Sequence, residues 1–361
     1  MNKVRVFRDQ IPKGLIDQHK HSLLIRLFLP EMKDPLKKKN TMENEFMETV
    51  NHSSVTEFWL LGFSEFPELQ FPLFTLFSLL YMMAVLGNLL VICIVYANRN
   101  LHIPMYFFLS NLSVIDVFSL TITVPKLLAI LLTQSNRIPF NECILQMYCF
   151  FAFTETEFLL LGVMSYDRYV AICNPLRYSI IMNKRVCDLL AAASWVASLI
   201  DSLPHTVVIS QFSFCDSNII NHFFCDFTAL LKLSCTDTSI LDTMTFVEGV
   251  VSGFTPFLLT LTSYVFIIST ILKIHSREGK NKVFSTCSSH LTVLIMSYGA
   301  VLGVYMQPSS GNSMNSNKLP VIIYIVILPL LNPLIYSLRS KELNVALKKA
   351  ISRRLTWLTT R

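Results

Sequence analysis

Seven stretches of this chain are long and apolar enough to cross a lipid bilayer, and that constrains its fold more than any other feature. A spanning helix needs about 20 mostly apolar residues to cross a hydrocarbon core about 30 Å thick. The runs are approximately Phe71 to Tyr96, Pro104 to Leu132, Cys143 to Val163, Val186 to Ile209, Met244 to Ile274, Phe284 to Met306 and Leu319 to Leu338. The third and seventh read as the weakest, because Glu155 and Glu157 interrupt one and Pro329, Asn332 and Pro333 the other. Pro125, Pro204, Pro256 and Pro333 do not exclude helices, since packed transmembrane helices tolerate kinks. Charged residues make up only 15%, against roughly 25% in soluble domains. The expected fold class is an all-α membrane protein, a seven-transmembrane helix bundle.

The distribution of Lys and Arg orients the bundle. After residue 41, one side carries only Lys126, Arg137, Lys232 and Lys318. The other holds Arg99, Arg168, Arg177, Lys184, Arg185, Lys273, Arg277, Lys280 and Lys282, with further basic residues past the seventh run. That side is cytoplasmic, which puts the N-terminus outside and the C-terminus inside. The net charge of +6 thus sits between apolar runs and forms no stripe interleaved with exposed aromatics, so nucleic acid is not an expected partner.

The chain divides into residues 1–41, 42–70, 71–338 and 339–361. The first part holds ten basic residues and lacks the apolar core of a signal peptide. It reads as a disordered basic extension absent from the working protein, with initiation at Met42 or Met47; a membrane-surface segment is the alternative. Residues 42–70 are acidic and form an extracellular segment, 71–338 the seven-transmembrane domain and 339–361 a cytoplasmic tail. Asn51-His52-Ser53 is an N-glycosylation acceptor on the luminal side, which makes Asn51 a modification candidate.

Short motifs at the membrane boundaries appear in a fixed order. They are Gly87-Asn88, Leu101 to Phe107 (LHIPMYF), Met164 to Leu176 (MSYDRYVAICNPL), Ser263-Tyr264, Lys282 to His290 (KVFSTCSSH) and Pro329 to Tyr336 (PLLNPLIY). From about Asn51 to the end of the seventh run the chain resembles the olfactory receptors within the rhodopsin-like G-protein-coupled receptors. Ser165, Val283 and Leu330 are small departures from the usual pattern, and Glu155 stands where relatives usually carry a small residue.

The resemblance implies roles for several residues. Asp167, Arg168 and Tyr169 would form a cytoplasmic switch, with Tyr264, His290, Asn332, Pro333 and Tyr336 as its partners in the fifth, sixth and seventh helices. Asp116 and Glu157 are ionisable groups inside spans, costly enough to suggest function. With Asn88 they resemble a buried polar site that binds a cation and collapses on activation; protonated, hydrogen-bonded acids are the alternative. Of the four cysteines at the outer face, the resemblance pairs Cys143 with Cys225 and Cys215 with Cys235. A zinc site using His222 competes, but its spacing matches no common ligand pattern.

The family's ligand region lies in the outer halves of helices three, five and six. There the candidates are Phe150, Phe151, Thr154, Glu155 and Phe158; Glu248, Gly249 and Ser252; and Tyr298, Val301, Leu302 and Tyr305. Such a lining is mostly apolar with few polar anchors, as small-molecule sites are. Glu155 and Glu248 would either bind a cationic ligand or face each other and share a proton. The implied function is odorant reception: a small volatile binds outside, and a heterotrimeric G protein of the stimulatory olfactory type responds inside, raising cyclic AMP at the plasma membrane. The same receptor acting outside the olfactory epithelium is an alternative. A transporter would show repeated halves, which are not seen. No paired nucleophile and base and no metal cluster stand at membrane depth, so an enzyme is not expected, and no cofactor or metal is implied.

Overall fold

The computed structural model describes residues 55–64, 66–214, 217–305, 318–339 and 343–348. Residues 1–41 and the Asn51 acceptor lie outside them. Seven helices cross the bundle: α1 Gln70–Ala97, α2 Pro104–Thr133, α3 Phe140–Cys173, α4 Lys184–Ser210, α5 Ser239–Lys273, α6 Arg277–Tyr305 and α7, which starts at Lys318 and ends at Arg339. In lipid every backbone polar group must be satisfied within the protein, and helices do this within one segment.

Local signals set the helix ends. Pro104 opens α2 at its first turn, where its missing N–H costs nothing, and Gln134 closes it in the left-handed conformation at φ 54°. Asn183 caps α4 by accepting the Val186 N–H at 3.1 Å. Two helices change pitch. α5 passes through a π-helical turn at Gly249–Phe254, just before Pro256, and α7 through one at Ile323–Ile327, just before Pro329.

The order of apolar strength differs from the sequence expectation. α7 is among the most apolar spans, because aliphatic residues surround Pro329, Asn332 and Pro333. Of the long spans among the described residues α3 is the least apolar, in keeping with its two glutamates. α3 is longer than expected: 34 residues make about 51 Å at 1.5 Å per residue, so it projects beyond the hydrocarbon layer.

α3 is also the most buried helix, and the others pack around it. Small residues permit the close approaches. A side chain on Gly162 of α3 would meet Pro256 of α5 at 3.3 Å. On α4, Ser194, Ser198 and Ser202 recur every fourth residue on one buried face, each hydroxyl returning to the carbonyl four residues earlier, and Ser198 also bonds Thr156 of α3. Outward-facing Leu76, Leu79, Met83, Leu86, Val207, Leu261 and Ile295 are half or more exposed, a surface that suits acyl chains and not water.

The outer end carries a small sheet of order β2-β1-β3, with β1 Glu57–Leu60, β2 Arg137–Pro139 and β3 Ile219–Ile220. Cys143 of α3 is disulfide-bonded to Cys225 of the long outer loop. Cys235 is disulfide-bonded as well, and Cys215, its implied partner, lies outside the described residues. The bond consumes Cys225, which removes it as a zinc ligand beside His222. An oxidising compartment is required on this face, in agreement with the charge rule. Beyond α7, residues 343–348 form a short helix whose Leu343 is buried in the inner core.

Candidate functional site

Three layers of buried polar residues run down the axis of the bundle. The outermost joins α3, α4 and α5. Glu155 is buried on α3, Glu248 sits on α5 just before the π-helical turn, and Asp201 comes from α4; one carboxylate oxygen of each lies within 4.8 Å of the others. Ser252, one turn beyond Glu248, donates to Asp201 at 2.9 Å. His205 Nε2 stands 3.0 Å from Glu248 Oε2, with its ring stacked on Phe151 at 6.4 Å. Asp201 and His205 escape the motif-based reading, yet an acid and an imidazole inside a span are themselves a signal that sequence provides.

Beside the acids lie the aromatic candidates. Phe158 packs on Tyr298 at 4.8 Å, and Tyr298 on Phe257 of α5 at 5.2 Å. Phe150 and Phe151 diverge, because adjacent helical residues point about 100° apart. Phe150 turns to Phe224 of the outer loop and Tyr324 of α7, whereas Phe151 turns to His205 and Phe227. Val301 packs inside the bundle. Two candidates fall out of this layer. Leu302, one step past Val301, is 54% exposed and faces outward, and Gly249 is exposed with no atom within 4 Å of where its side chain would begin. The Tyr305 side chain is outside the described residues.

The middle layer centres on Glu157. Its Oε1 accepts from Ser297 of α6 at 3.0 Å and its Oε2 from Tyr324 of α7 at 2.8 Å. Thr154 lies one turn outward from Glu157 on α3. Asp116 accepts from Asn332 of α7 at 3.0 Å, and Asn88 of α1 donates to the Pro329 carbonyl at 2.9 Å. Through these bonds Asp116, Glu157 and Asn88 reach the sixth and seventh helices, and among the described residues no hydrogen bond joins the two acids. Tyr324 and Ser297 carry no family motif, which is why sequence alone passes over them.

The innermost layer closes the cytoplasmic end. Arg168 is 7% exposed and turned onto its neighbour Asp167, with Nε 3.0 Å from the carboxylate. The other carboxylate oxygen accepts from Tyr178, in the loop helix Tyr178–Ile181, at 2.8 Å. Burial first, then the Asp167 charge, pushes the Tyr178 hydroxyl above its ordinary range, so it keeps its proton and remains the donor. Tyr264 of α5 and His290 Nδ1 of α6 are 2.8 Å apart. Tyr336 is buried beside them in the inner core, Tyr169 packs on Phe266 at 5.8 Å, and Pro333 lies against Gly87 of α1.

Over the outer layer the loop forms a lid. His222 packs between Phe223 and Phe224, and the Cys225 N–H bonds Gln146 of α3 at 2.9 Å. Burial lowers the His222 pKa to about 4; Asp226 opposes that fall and Lys318 adds to it. The imidazole is neutral at pH 7.

A family model described as olfactory receptor matches residues 77–354. Olfactory receptor 5F1 of Homo sapiens is 46% identical over 85% of this chain and 98% of its own length. Olfactory receptor 8U9 of Homo sapiens is 45% identical over 84% of the chain and 99% of its length, and olfactory receptor 1f45 of Rattus norvegicus 46% over 85% and 98%. The seven-helix bundle, the disulfide across its outer face and these matches along most of the sequence place the chain in the olfactory receptor family, as a multi-pass membrane receptor and not an enzyme.

Proposed function

We propose that this receptor binds a small volatile among α3, α5 and α6 and couples that event to a stimulatory olfactory-type G protein, raising cyclic AMP. The observation that carries the reading is the double hydrogen bond of Glu157, which ties central α3 to Ser297 of α6 and Tyr324 of α7. Tyr298 stands next to Ser297 on α6, and Thr154 lies one turn outward from Glu157 on α3, so a ligand seated against Tyr298 or Thr154 acts beside the same two ties. A ligand shifts the balance only by its differential affinity for the two arrangements. Weakening both ties frees α6 from α3, and the inner ends can part around Arg168. The released guanidinium then offers its fixed donors to a G-protein segment, while Lys280, Arg177 and Lys184 present positive charge to lipid head groups.

A cyclic-AMP reporter screen of chemically diverse volatiles tests this, with Arg168→Ala as the control. The reading requires at least one volatile to raise cyclic AMP through the wild type and not through Arg168→Ala at equal surface expression. A response of equal size in both would remove Arg168 from the coupling route.

A further inference from the structure

The outermost polar layer has the makings of a cation site. Its three acids come from three different helices, and each offers an oxygen within 4.8 Å of the other two. Glu155 is 8% exposed, and its Oε2 has no hydrogen-bond partner among the described residues. His205 is 5% exposed and aimed at Glu248, but its nitrogens also lack hydrogen-bond geometry to any described residue. Carboxylates gathered this closely in an apolar bundle repel unless protons or a cation lie among them. A buried oxygen without a donor is an unmet demand that a ligand donor would satisfy.

Resting on the receptor reading above, we propose that Glu155, Asp201 and Glu248 bind the ammonium head of a small primary amine. A primary ammonium carries three N–H donors and no acceptor, one for each acid. Charge-assisted bonds about 2.8 Å long, arranged tetrahedrally, hold three acceptors about 4.6 Å apart. That fits the observed span. Phe158, one helical turn from Glu155, and Tyr298 packed against it give the alkyl chain an apolar wall.

Thermal denaturation of the full-length receptor in detergent at neutral pH tests the assignment without a known agonist. Butylamine and 1,4-diaminobutane are compared with 1-butanol, zinc chloride and manganese chloride at matched millimolar concentration. The amines should raise Tm by about 2 °C or more, with 1-butanol inert, and Glu155→Gln, Asp201→Asn and Glu248→Gln should each cut the shift. Equal shifts with amine and alcohol, no amine shift, a shift undiminished in all three variants, or a shift with metal chlorides alone would overturn it. The wild-type comparison decides even if a variant fails to fold. A receptor that raises cyclic AMP to neutral volatiles while ignoring amines loses this assignment and keeps the receptor reading; one stabilised by amines yet silent in the reporter keeps the site and loses the coupling.

Discussion

Glu157 accepts hydrogen bonds from two helices other than its own, so removing one donor isolates one link of the proposed relay. Tyr324→Phe deletes the 2.8 Å bond and keeps the ring. Side-chain hydrogen bonds within membranes are worth about 1 kcal/mol, so Tm should fall by about 2–4 °C in thermal denaturation, with more ligand-independent cyclic AMP. An unchanged Tm and basal signal would dismiss the tie. His222 gives a pH test. Its folded pKa of about 4 lies below the ordinary 6.5, so the unfolded chain binds the extra proton first. The stability of the outer lid should therefore be full above about pH 6.5 and fall as pH drops toward 4. Melting curves across that range should flatten in His222→Phe; parallel curves for the two proteins would contradict it.

At the scale of elements, α3 is the column on which the rest is built, and its contact with α5 tolerates little. A Cβ on Gly162 would lie 3.3 Å from Pro256, with that residue's backbone next. Overpacking of this kind costs about 1–3 kcal/mol, so Gly162→Val should lower surface expression and Tm, whereas Gly299→Ala on α6, where nothing lies within 4 Å, should change neither. Equal behaviour of the two, measured by surface staining, would mean that the α3–α5 approach does not limit folding. The serine face of α4 is a feature that periodicity could have revealed, since Ser194, Ser198 and Ser202 are four apart. Hydropathy instead records them as interruptions.

For the molecule as a whole, the disulfide between Cys143 and Cys225 spans 82 residues and anchors the lid to α3. Losing such a bridge costs about 2–5 kcal/mol, so Cys225→Ser should deplete the receptor from the cell surface in a trafficking assay; normal surface levels would show the lid to be held without it. The number of helices, their orientation and the Asp167-Arg168 end of α3 were legible in the sequence, because lipid enforces apolar length, charge bias and local motifs that are all written along one chain. The partnership of Glu155 and Glu248 with Asp201, the partners that Phe150 and Phe151 each meet, the outward turn of Leu302 and the link from Glu157 to Tyr324 were decided only by tertiary structure. Each depends on the rotation of one helix against another, and rotation is set by side-chain packing and small-residue contacts between segments far apart in sequence.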